Sequence, residues 1–198
     1  RGETVGSTVV VTGAAEQVAA VSAALRDAGA EVISVDDLGR LNAAMADIAP
    51  GTLHCYVQLP VHVAARGQAV VERVRNFLED GLLARFTSAS TILPALSEGG
   101  RVVLVGGNTP VEASAPDDLS ARLALLDVLA HAIQADGATT RIRIRRLPNT
   151  ESAEQIAAVA LGREPTREEA LADLQAREPK MSFDDLRIEV MGLVNGEF

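Results

Sequence analysis

The chain has 198 residues, a formal net charge of −9, 47% hydrophobic residues and 23% charged ones. That balance excludes a disordered chain and fits one domain over residues 1–198, while the acidic excess excludes a nucleic-acid or anionic-membrane surface, which would be built on Lys and Arg. It contains one tyrosine, Tyr56, one lysine, Lys180, and no tryptophan, so any chemistry that needs a Tyr–Lys pair on neighbouring helix turns is excluded.

In chain order, Thr8-Val9-Val10-Val11-Thr12-Gly13 is a β-branched run closed by glycine. Such a run predicts a strand covered on both faces of a parallel sheet. Ala14 to Ala28 follows at helical spacing, with Gly29 as its stop, and Glu31–Asp36 reads as a second strand. A short helix spans Leu38–Ile48, and Leu53–Leu59 is a third strand stopped by Pro60. Val70 to Leu96 reads as one long helix, ended by Gly99-Gly100. Arg101–Val105 is a fourth strand. Asp117 or Asp118 can cap a helix running to about Asp136. Thr140–Leu147 is a fifth strand. Helices are expected over Ser152–Leu161 and Thr166–Arg177, the latter opened by the capping box Thr166 to Glu169, and a last strand over Leu186–Val194. Alternating strands and helices predict an α/β doubly wound, three-layer sandwich with a parallel sheet.

The single Cys55 and the lack of a signal-peptide pattern point to a cytoplasmic protein. No apolar run is long enough to span a membrane. The first residue is Arg1 rather than Met, so a piece of a longer polypeptide is one expectation. His54, His62 and His131 lack ligand spacing, so no metal is expected. Ser88, Ser90 and Ser114 lack a nucleophile-elbow context. Asp36-Asp37 and Asp184-Asp185 read as solvated ends. Arg141, Arg143 and Arg145 fall on one face of the fifth strand, with Ile142 and Ile144 on the other. Two readings of that arginine face stand open: pairing with Glu168, Glu169 and Asp173, or an anion site.

Thr12-Gly13-Ala14-Ala15-Glu16-Gln17-Val18-Ala19 resembles the TGxxxGxG turn of short-chain dehydrogenases/reductases. Gly13 matches the first glycine; Gln17 and Ala19 replace the other two. Asp36 stands where the family holds the adenosine ribose of NAD. The Gly100–Gly107 stretch resembles the strand ending in the family's catalytic Ser, with Gly106 or Gly107 at that position. The Tyr-x-x-x-Lys pair falls on Asp118 and Arg122, and the family's Asn falls on Leu78, with Asn76 out of register. The resemblance implies a Rossmann-type fold with Gly13, Asp36 and Gly106 as a vestigial NAD or NADP site. The lost positions imply no catalytic residue and no bound cofactor.

The interval from Asp36 to Leu53 is too short for the strand and helix that the family carries there. The expected order is therefore 2-1-3-4-5, with a sixth strand to follow, a truncated Rossmann or flavodoxin-like sheet. This form is similar to the structural domain that accompanies active ketoreductases in high-molecular-weight 3-oxoacyl-carrier-protein reductases and polyketide synthases. Leu119, Leu123, Leu126 and Ile133 form one apolar stripe of the helix before Asp136, and a second stripe widens it. That predicts an interface with a second copy or with an active partner domain. Three functions follow as expectations: a catalytically inactive structural or oligomerising domain, an NAD(P)-dependent oxidoreductase with a rebuilt site, or a small-ligand-binding module.

Overall fold

A computed structural model describes residues 6–60, 69, 71–72, 75, 77–106, 126–135, 141–147 and 152–163. The chain divides into two compact units, Arg1–Leu161 and Gly162–Phe198. All the elements below belong to the first.

Strand β1 (Thr8–Thr12) is followed by helix α1 (Ala15–Asp27) and strand β2 (Glu31–Val35). A single 3-10 turn at Leu38–Arg40 leads into the short helix α2 (Leu41–Met45), and β3 spans Leu53–Gln58. Helix α3 carries a π-helical segment, Phe77–Leu83, and continues as a regular helix, Ala84–Ile92. Strand β4 runs Leu96–Val105, helix α4 covers 126–135, β5 is Arg143–Leu147 and α5 is Ala153–Ala160. The five strands form one sheet in the order β2-β1-β3-β4-β5, and every neighbouring pair is parallel. This is the expected doubly wound order.

The β-branched runs explain the sheet. Val9, Val10 and Val11 are all inaccessible to solvent, so β1 is covered on both faces. Because side chains alternate along a strand, the two faces carry separate cores. On one face Val10, Tyr56, Val102 and Leu104 pack with Leu41, Ile92, Leu129 and Ile133 from α2, α3 and α4. On the other, Val9, Val11, Cys55, Val57 and Val103 pack with Val18, Val21, Leu25, Ile156 and Ala160 from α1 and α5.

Boundaries differ from the sequence expectation at several points. The long helix ends at Ile92, short of Leu96, because Pro94 supplies no N–H to continue the ladder; Leu93–Ala95 is a 3-10 turn. Strand β4 then begins at Leu96 and pairs with Leu53 before a register shift carries it on to Cys55 opposite Arg101. Arg141 precedes β5 with a φ of 52°, so it is a turn residue and does not share the strand face of Arg143 and Arg145. Helix α5 starts from a capping box at Ser152, whose hydroxyl accepts from the Gln155 N–H while the Gln155 side chain accepts from the Ser152 N–H. The expected helix over Thr166–Arg177, the strand over Leu186–Val194 and the acids Glu168, Glu169 and Asp173 lie outside the described residues.

Candidate functional site

In an open parallel sheet the ligand crevice lies beyond the carboxyl ends of the strands. Here those ends are Thr12, Val35, Gln58, Val105 and Leu147. The turn after β1 is stitched to the end of β3. The Leu59 N–H donates to the Thr12 carbonyl at 2.8 Å, and the Ala14 N–H donates to the Pro60 carbonyl at 3.1 Å. Gly13 sits between them with φ at 144°, and a Cβ there would fall 2.6 Å from the Leu59 Cβ. The glycine is required both by backbone conformation and by contact with the chain's own Leu59.

These residues do not fit a dinucleotide. The Ala14 amide, which opens the approach to α1, is committed to Pro60. Glu16 puts a carboxylate in the first turn of α1, where it suits the helix dipole and repels a pyrophosphate. Gln17 brings a side chain to the position where the family needs bare backbone, and its Oε1 is buried with no hydrogen-bond partner among the described residues. Ala19 is exposed. Asp36 is exposed at the end of β2, beside Asp37, whose Oδ1 accepts from the Gly39 N–H at 2.9 Å. Gly106 is buried, and its N–H is spent on the Leu147 carbonyl at 2.8 Å. Gly13, Asp36 and Gly106 therefore stand at the ends of three different strands, and two of them serve the fold. Gly107, Asp118 and Arg122 lie outside the described residues.

A different set of groups converges on the α3 side of the same edge. Thr12, Tyr56 and Gln58 point to that face from β1 and β3, and all three are buried. The Tyr56 hydroxyl is 3.0 Å from Thr12 Oγ1, and Gln58 Nε2 donates to it at 2.9 Å. The same Nε2 donates to the Arg85 carbonyl at 3.0 Å, while Arg85 Nε donates back to Gln58 Oε1 at 2.7 Å. Arg85 Nη2 donates to the Val105 carbonyl at 3.0 Å and lies 3.5 Å from the Gln58 carbonyl. Ser88, one turn on, donates its hydroxyl to the Ala84 carbonyl at 2.7 Å. Arg85 thus clasps the last residues of β3 and β4, and it lies in the first turn after the π-helical segment of α3, an irregularity that recurs at functional sites.

Burial sets the acid–base character of this cluster. It pushes the Tyr56 phenol up to about 12, against the opposing pull of its hydrogen bonds to Thr12 and Gln58 and of the Arg85 charge. It also pulls the Arg85 guanidinium down to about 10. The single phenol of the chain is therefore protonated, enclosed and hydrogen-bonded. It is not placed to exchange a proton with a bound molecule.

The strand position of Tyr56 is legible in the sequence; the convergence of Gln58 and Arg85 on it is not. The signal available was a polar pair, Tyr56 and Gln58, at a spacing of two on an otherwise apolar strand, with a lone cation set between Leu82-Leu83-Ala84 and Phe86. Leu78, aligned with the family's Asn, is 39% exposed on the π-helical segment. Cys55, with its thiol pushed up to about 12 by burial, is inert packing. His54 Nδ1 accepts from the Thr8 N–H at the opposite, amino end of the strands. No group of three or more potential metal ligands occurs among the described residues, and no described helix is long and apolar enough to cross a membrane.

No family model and no curated protein matches the chain by sequence. Solved structures do match it by fold. A short-chain dehydrogenase/reductase from Serratia marcescens superposes with a TM-score of 0.58 at 15% identity, covering 82% of this chain and 90% of that one. A short-chain dehydrogenase from Rhodopseudomonas palustris gives 0.52 at 19% identity, covering 80% and 92%. The protein lin1944 from Listeria innocua gives 0.58 at 13% identity, covering 78% and 92%. With its parallel 2-1-3-4-5 sheet between two helical layers, the chain has the Rossmann-like fold of the short-chain dehydrogenases/reductases.

Proposed function

We propose that this chain is a catalytically inactive domain of the short-chain dehydrogenase/reductase kind, serving as a structural or oligomerising partner of an active ketoreductase or dehydrogenase, or of a second copy of itself. The observation that carries the reading is the fate of the single tyrosine. Reductases of the resembled kind use a phenol in the crevice, with its pKa lowered by a nearby lysine. Here the sole phenol is built into β3, with its hydroxyl tied to Thr12 and Gln58 and its pKa raised. The closed turn at Gly13 supports the same reading, because it leaves no bare backbone for a pyrophosphate.

The partner role draws on the helices. Leu126 and Ile133 are 5% and 1% exposed within this chain and belong to its own core, while Leu119 and Leu123 lie outside the described residues. The outward apolar residues include Val128 on α4, 54% exposed, and Leu83 on α3, 55% exposed. They are the groups that a second subunit would cover.

Calorimetric titration with NADH and NADPH tests the proposal. No heat of binding and no cofactor consumption with ketone substrates is the expected result. Micromolar binding of either would restore the oxidoreductase reading and sink this one.

A further inference from the structure

We infer that the carboxyl end of the sheet holds a binding site for a small oxyanion, a carboxylate or a phosphate, with the Arg85 guanidinium as its receptor. This goes beyond the partner-domain reading and stands or falls separately from it.

A guanidinium has five N–H groups in a fixed plane. Arg85 Nε is satisfied by Gln58 Oε1, and Nη2 by the Val105 carbonyl with a long approach to the Gln58 carbonyl. Nη1, with two donors, has no partner among the described residues. The partners Arg85 does have are all neutral oxygens. No described carboxylate pairs with it, whereas the exposed Arg40 and Arg146 pair with Asp37 and Asp127. Arg85 is half-buried, and a cation drawn that far from water is ordinarily paired.

The three oxygens that hold Arg85 belong to the last residues of β3 and β4. The guanidinium is therefore fixed at the carboxyl edge of the sheet, where ligands of open α/β folds bind. It is also pre-oriented. Gln58 accepts from Nε and donates to both the Arg85 carbonyl and the Tyr56 hydroxyl, and that hydroxyl in turn meets Thr12. The side chain is locked on one edge by a buried network and left with Nη1 unspent on the other. An arginine serving only to clasp two strands would gain nothing from that unspent edge. An oxyanion there meets a half-buried cation that is already aligned, and charge-assisted hydrogen bonds are the strong ones. The depressed pKa of Arg85 agrees, since an anion alongside would reverse the effect of burial.

The test uses the whole chain and two probes, sodium phosphate and sodium acetate, each titrated at constant ionic strength against chloride. The Nε–Hε resonance of Arg85 is followed by NMR and identified by its disappearance in Arg85→Lys. A saturable shift of that resonance, with the other arginines unmoved, is expected. Phosphate alone acting would assign the site to phosphate esters, and acetate alone to carboxylates; either outcome supports the inference. Arg85→Gln is expected to weaken binding by about tenfold or more. No shift with either anion, or a non-saturating drift shared by all arginines, would overturn it. The wild-type titration decides the matter even if Arg85→Gln fails to fold. Silence toward NADH together with a response to phosphate would leave both this site and the inactive-domain reading in place.

Discussion

Gly13 shows how one residue can be legible in sequence and still change meaning in structure. As a glycine after a valine run it marks a strand-to-helix turn, and the turn is there. What it serves is the chain's own β3 end, because a Cβ would meet Leu59 at 2.6 Å and the backbone has a positive φ. Gly13→Ala is therefore expected to destabilise the fold by about 2–4 kcal/mol, from steric overlap and a strained φ together, measured by urea denaturation. A change below about 0.5 kcal/mol, within the ordinary surface range, would mean the turn opens freely. Tyr56→Phe probes the neighbouring network. Removing the hydroxyl leaves Thr12 and Gln58 each one partner short, an expected cost of about 1–3 kcal/mol. Arg85 was invisible to sequence reading for a physical reason. Its significance rests on carbonyls at the ends of two strands, and nothing in the local pattern of α3 announces a contact 27 residues back.

At the level of elements, periodicity located the strands and most helices because β-branched runs and 3.6-residue spacing reflect what each face must bury. It failed where local chemistry overrides burial. Pro94 ends α3 early, and the π-helical turn of Phe77–Leu83 has no periodic signature. Three hydroxyls of α3, on Thr87, Ser88 and Thr91, donate to carbonyls four residues back, a pattern that bends helices and is equally hard to read from spacing. The apolar stripe of α4 was legible as apolar but not by destination. Leu126 and Ile133 face the sheet of the same chain. The exposed Leu83 and Val128 carry the partner prediction instead. The double substitution Leu83→Asp with Val128→Asp is expected to reduce any dimer seen by light scattering to monomer. Because both positions are surface-exposed, the melting temperature of the monomer should move little. An unchanged mass distribution would place the interface elsewhere.

For the whole molecule, the division of the core into two faces fixes how the fold responds to alkali. Cys55 lies on the α1 face and Tyr56 on the α3 face, both sealed within the sheet. Burial raises the thiol from 9.0 and the phenol from 10.0, each to about 12. In the folded state each stays protonated where the unfolded chain has lost its proton. Their contribution to stability is complete below the unfolded values and is lost as pH rises toward the folded ones. Arg85 acts oppositely. Its guanidinium is lowered from 12.5 to about 10, so between those values the unfolded chain holds the proton more firmly and folding gains as pH rises. Of these three groups, the thiol acts first, between pH 9 and 10; above 10 the phenol joins it and Arg85 offsets part of the loss. The melting temperature is thus expected to fall from about pH 9 upward, and in Cys55→Ala the fall should begin nearer pH 10. Repulsion within the acidic surface adds to the wild type and the variant alike, so the difference between them isolates the thiol. With one tyrosine and no tryptophan, near-ultraviolet absorbance reads Tyr56 alone. At about pH 10, the ordinary phenol value, it should show almost no tyrosinate while the chain is folded and a half-ionised signal once it is unfolded. Half-ionised phenol in the folded chain at that pH would put Tyr56 in contact with solvent, and the account of the strand-end network would fail with it.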